Sequence, residues 1–146
     1  MDTIETEGHP ILWAVGPEVP GKPTVLIYGH YDVQPADPLE LWETGPFEPR
    51  VEGDLLFARG SSDMKGQVLA TFHALESIMK SDELPVNVKF LIEGEEEIGS
   101  PSLPPFMEEH RELLACDFAL NPDAGMIAQD TPTIVYGLRG MTYFEL

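Results

Sequence analysis

The segment Thr24-Val-Leu-Ile-Tyr-Gly-His-Tyr-Asp32 decides how the chain is read. Its first five residues are β-branched, aliphatic or aromatic and are bounded by Gly29, the pattern of a strand buried on both faces. Two polar residues follow at once. His30 and Asp32 lie two positions apart, on the same side of an extended segment. The run Val86-Asn-Val-Lys-Phe-Leu-Ile92 repeats the arrangement and leads into Glu93-Gly-Glu-Glu-Glu97. A third run, Cys116 to Leu120, leads into Asn121-Pro-Asp123. Between the first two, Val68, Leu69, Phe72, Leu75, Ile78 and Met79 recur at helical spacing from Met64 to Lys80, with Asp63 where a helix should start. Strands alternating with helices predict an α/β fold, a largely parallel sheet flanked by helices. In such sheets ligands gather at the carboxyl ends of the strands, which is where each acidic or imidazole cluster falls.

The rest of the chain fits one domain. Ile11 to Val15 reads as a strand, Pro17 to Pro23 as a turn, and Asp54 to Ala58 as a short strand. Gln34 to Pro49 is a proline-rich loop with Trp42 and Phe47 as anchors, either lining a site entrance or packing beneath the loop. Ser100 and Pro101 offer an N-cap and first-turn proline for a helix toward Leu114. Thr133 to Tyr136 and Met141 to Leu146 read as strands around Gly137-Leu-Arg-Gly140, and Cys116, inside an apolar run, reads as core.

Charge narrows the function. Against 8 basic residues stand 26 acidic ones, a formal net of −18. Such a surface repels phosphate backbones and anionic lipid, which excludes nucleic acid and membrane surfaces as partners. No apolar run approaches the roughly 20 residues that span a bilayer. A single cysteine permits no internal disulfide, and the acidic start MDTIETEGHP lacks the features of a signal peptide. Together these predict a cytoplasmic protein.

The strand-end clusters carry the chemistry. Carboxylates gathered without Lys or Arg repel one another unless a cation neutralises them. Imidazole with Asp and Glu suits zinc, with manganese or cobalt as alternatives. From its position, Asp32 would hold the distal nitrogen of His30 and fix the tautomer. Taken singly, each residue has an ordinary structural role: Asp63 as a helix cap, Glu95 to Glu97 as a solvated turn, Asp123 as a turn residue and His30 as a structural histidine. Their coincidence at strand ends points to a site. No G-x-S-x-G nucleophile elbow occurs.

The segments GHYDVQP, GSSDMKG, EGEEEIGS and YGLRG, in this order over nearly the whole chain, resemble those of the zinc peptidases and deacylases that include carnosinase-like dipeptidases, acetylornithine deacetylase and the glutamate carboxypeptidases. Asp123 and YGLRG look most similar to the dipeptidase branch. The resemblance implies that His30 binds one metal, that Asp32 orients it, and that Asp63 bridges two metals, with a cis peptide bond from Asp63 to Met64. It implies that Glu96 is the general base, that Glu97 ligates the second metal, and that Asp123 completes the ligand set of the metal bound by His30. Two zinc ions sharing a water would then serve amide hydrolysis.

In that family the second metal has a further histidine ligand from far downstream, after a lid or dimerisation domain. His9, His73 and His110 are poor substitutes. The resemblance thus makes residues 1 to 146 a partial metallopeptidase catalytic domain. Expected substrates are dipeptides or small peptides, with small N-acyl amino acids as the alternative. A non-catalytic fragment binding a single metal is the other reading. Uncovered sheet faces and edges predict weak activity of this chain alone and a tendency to self-associate as a homo-oligomer.

Overall fold

The computed structural model describes residues 1–145. Strands β1 (Asp2–Ile4) and β2 (Ile11–Val15) pair antiparallel. They are followed by β3 (Thr24–His30) and a small hairpin of β4 (Arg50–Glu52) and β5 (Leu55–Phe57). Helix α1 (Gly66–Ser81) leads to β6 (Asn87–Glu93), then to the short helices α2 (Leu103–Glu109) and α3 (Arg111–Leu114), and to β7 (Phe118–Leu120). The main sheet has the order β1-β2-β6-β3-β7. Strands β6, β3 and the edge strand β7 run parallel, and β2 joins β6 antiparallel.

The parallel register sets the site. Thr24 pairs with Asn87 and the ladder runs on to His30 opposite Glu93, so both apolar runs end side by side. The strands alternate their faces. Val88 and Phe90 of β6 pack with Ile27 and with Val25, Phe72 and Leu75, the rings of Phe72 and Phe90 stacking at 4.5 Å. Leu91 packs with Ile11, Trp13, Phe106 and Leu114 on the other face. Burying each such side chain stabilises the fold by roughly 1.5–3 kcal/mol. Lys89, the one basic residue in this strand, donates from Nζ to the carbonyls of Leu113 and Ala115 at 2.7 and 2.8 Å. It satisfies acceptors that the end of α3 leaves free.

Several expectations are corrected. Residues 133–136 and 141–145 form no strand, and Tyr136 is 100% exposed. A β-branched and aromatic run becomes a strand only against a partner edge, and among the described residues none is paired with it; Leu146 lies outside them. Cys116 is exposed rather than core. It precedes β7, which sits at the sheet edge with Phe118 63% and Leu120 47% exposed. The apolar stripe of α1 is only half used: Val68, Phe72 and Leu75 are half-buried, while Leu69 and Met79 face solvent. Ser100 is no N-cap. It has φ 53°, and the helix begins at Leu103, with a break at His110.

Candidate metal centre

His30 ends β3 and is fully buried (0% exposed). Its Nε2 lies 3.0 Å from Asp63 Oδ1, 3.6 Å from Asp123 Oδ2 and 4.0 Å from Glu96 Oε2. Its Nδ1 lies 3.2 Å from both the backbone oxygen and Oδ1 of Asp32. One ring nitrogen therefore faces carboxylates on three other segments, and the other is held by the strand's own continuation. That arrangement fixes which nitrogen is free to ligate.

Each carboxylate arrives by a different route. Asp63 stands in the irregular turn Ser61–Lys65 ahead of α1, with extended φ −147° and a cis peptide bond to Met64. It makes no helix-capping bond; its side chain turns to His30 instead. Asp123 follows β7, whose parallel pairing with β3 brings the two strand ends together. Glu96 and Glu97 stand in a single helical turn just past β6. Glu95, their neighbour, is buried and accepts the backbone N–H groups of His9 and Ser102, each at 3.0 Å. It contributes to a separate cleft of about 570 Å³ that none of the cluster residues lines.

The turn bearing Glu96 and Glu97 is braced from beneath. Glu93, buried, accepts Tyr28 Oη at 2.5 Å and Ser100 Oγ at 2.8 Å. Asp32 Oδ2 accepts the backbone N–H of Glu97 at 2.9 Å. Gln34 holds the Glu97 head group, its backbone N–H donating to Oε1 at 3.1 Å and its Nε2 to Oε2 at 2.6 Å. Gln34, Glu93 and Tyr28 were not singled out from sequence. A signal existed for Gln34: it stands four residues past His30, in the same alternation as Asp32.

The electrostatics ask for a cation. Among the described residues, no Lys or Arg forms an ion pair with Asp32, Asp63, Glu96, Glu97 or Asp123; the Lys and Arg pairs lie elsewhere, at Glu43, Glu52 and Glu76. Burial raises the Glu96 carboxyl above its ordinary value, and Glu97, Asp123 and Asp32 add to the rise against the opposing pull of His30. Burial and Asp63 likewise raise Asp123. Burial lowers His30, but the charges of Asp32, Glu96 and Asp123 outweigh it and leave the imidazole raised. Carboxyls and an imidazole raised together mark a negative pocket short of positive charge.

Ligand atoms from His30, Asp63 and Asp123 all lie within 4.8 Å of one another. One imidazole and two carboxylates converging without a competing cation fit a divalent metal. Glu97 stands beside this group but outside it. Of the other histidines, His73 is exposed beside Glu76 at 3.4 Å and His110 stacks on Phe106 at 4.4 Å.

Most of the chain is similar to known proteins. Human Beta-Ala-His dipeptidase is 40% identical over 138 residues, covering 92% of this chain and 27% of its own. A Cys-Gly metallodipeptidase of Candida albicans is 39% identical over 132 residues, covering 87% of this chain and 27% of its own. The crystal structure of an M20 family metallo-carboxypeptidase from Sulfolobus solfataricus superposes with a TM-score of 0.81 at 43% identity, over 86% of this chain and 28% of that one. The chain thus spans about a quarter of the length of the relatives it matches. Its residues 26–140, from the middle of β3 past Asp123 to the YGLRG segment, match peptidase family M20/M25/M40, and the chain belongs to that family.

Proposed function

We propose that this chain is part of the catalytic domain of a metal-dependent peptidase that hydrolyses dipeptides or small peptides at a two-zinc site. The observation that carries the reading is the convergence of His30, Asp63 and Asp123. In this reading His30 and Asp123 would hold one zinc, Asp63 would serve both, Glu97 would hold the second, and Asp32 would orient His30. When bound, the two ions supply Lewis-acid polarisation of the scissile carbonyl and acidify an attacking water. Glu96 takes the proton from that water and delivers it to the departing amine nitrogen. Its position beside the group, 4.0 Å from His30 Nε2 yet outside the three converging residues, supports a proton-handling role. The dipeptidase names of the relatives support small peptides as substrates.

One observation favours a second reading, a single-metal module: Glu97 stands outside the tight group, held by Gln34. A cytoplasmic setting belongs to the first reading and is supported by the single cysteine. No helix among the described residues is long and apolar enough to cross a membrane. Self-association through the exposed edge strand β7 belongs to it as well.

The test is a substrate panel. Purified protein supplemented with zinc is assayed against free dipeptides and N-acyl amino acids. Release of amino acids from dipeptides supports the proposal. Cleavage of N-acyl amino acids alone transfers it to a deacylase, and uptake of a single zinc without turnover of either class favours the single-metal module.

A further inference from the structure

We infer that Gln34 is the positioning residue of Glu97, and that its side-chain amide sets the affinity of the second metal position; this rests on the two-metal reading above. Both oxygens of the Glu97 carboxylate are engaged by this one residue, Oε1 by its backbone N–H at 3.1 Å and Oε2 by its Nε2 at 2.6 Å. The main chain of Glu97 is held separately, by Asp32 Oδ2 at 2.9 Å. The segment leaving β3 therefore fixes Glu97 at both ends. His30, Asp32 and Gln34 occupy positions i, i+2 and i+4. They serve in turn as a cluster member, as the brace between two segments, and as the clamp on an outlying carboxylate.

The chemistry of the clamp is one-sided. An amide N–H₂ donates and cannot ligate a cation, whereas each carboxylate oxygen has two acceptor sites, so one oxygen can hold the amide and still face a metal. A charge-assisted bond of this kind restricts a side chain that otherwise explores many rotamers. Partners that orient a metal ligand in this way are worth roughly 10–100-fold in metal affinity. Gln34 makes no hydrogen bond to His30, Asp63 or Asp123. Its influence is thereby confined to the position that Glu97 serves.

Calorimetric titration of zinc into the metal-free purified protein tests this. Glu97→Ala and His30→Ala identify which binding step belongs to which position. Gln34→Met keeps the side-chain length and the backbone N–H bond but removes the amide donor. It is expected to weaken the Glu97-dependent step roughly 10–100-fold and to leave the His30-dependent step unchanged. Gln34→Glu, which sets a like charge against Glu97, is expected to weaken that step further. Wild-type affinity at both steps in Gln34→Met overturns the inference, and so does equal weakening of both. A single zinc step in the wild-type protein overturns the two-metal reading itself, an outcome distinguishable from a failure of Gln34 alone.

Discussion

Asp32 holds Glu97 by its main chain while holding His30 by its ring: Oδ2 accepts the Glu97 N–H at 2.9 Å and Oδ1 meets His30 Nδ1 at 3.2 Å. One carboxylate thus ties the end of β3 to the turn after β6. Asp32→Asn leaves one oxygen for two donors and removes the charge that strengthens both bonds. Metal affinity is expected to fall at both positions, by roughly 10–100-fold, measured by zinc titration. A change confined to the His30 position would mean that the bond to Glu97 has no bearing on metal binding.

Glu96 separates binding from turnover. Its carboxylate approaches His30 no closer than 4.0 Å and lies outside the group of His30, Asp63 and Asp123. Glu96→Gln is expected to keep zinc content and to lower kcat by roughly 10²–10⁴-fold, with little change in KM. Loss of zinc in this variant would make Glu96 a ligand rather than a base.

A close approach of strand and helix sets where His30 sits. A Cβ on Gly29 would come within 2.9 Å of Val68 Cγ2, and a β-branched side chain on a helix strongly prefers one rotamer. Gly29→Ala is expected to cost about 1–3 kcal/mol of stability, by overpacking β3 against α1. Denaturant unfolding measures this, and zinc affinity is expected to drop in parallel because His30 is the next residue. Wild-type stability in this variant would show that the strand can slide off the helix freely.

Tyr28 governs the alkaline limit. Burial, the hydrogen bond to Glu93 and the charge of Glu93 push its phenol well above the ordinary value of 10.0. The folded chain keeps this proton to higher pH than the unfolded chain does, so unfolding releases it and stability falls as pH rises. The contribution is complete below about pH 10 and is lost progressively above it. Tyr28→Phe is expected to be less stable at neutral pH by about 1.5–3 kcal/mol, through loss of a bond to a charged acceptor. It is also expected to show a shallower decline above pH 10. Parallel stability curves for the two proteins would contradict this.

Which parts were legible in the sequence follows from where each signal resides. Strand β2 and the starts of β3 and β6 are readable from their apolar runs, because a strand covered on both faces is apolar on both. The three-residue strands β1 and β4 were missed, being too short for any period to register. Residues 133–136 carry the strand pattern without a partner, and pairing is a property of the neighbour rather than of the segment. The meeting of His30 and Asp123 was legible because parallel topology sends strand ends to one edge, whereas Asp63, in the turn ahead of α1, was marked by the resemblance. Gln34 shares the alternation of His30 and Asp32, but its partner is a residue 63 positions away, which that alternation does not name.

The most direct measurement of the central claim is zinc content by mass spectrometry on the purified protein and its His30→Ala variant. Bound zinc in the wild-type protein, lost from the His30→Ala variant and accompanied by a fall in melting temperature, is the predicted result. No zinc after supplementation, or zinc retained without His30, would contradict the account.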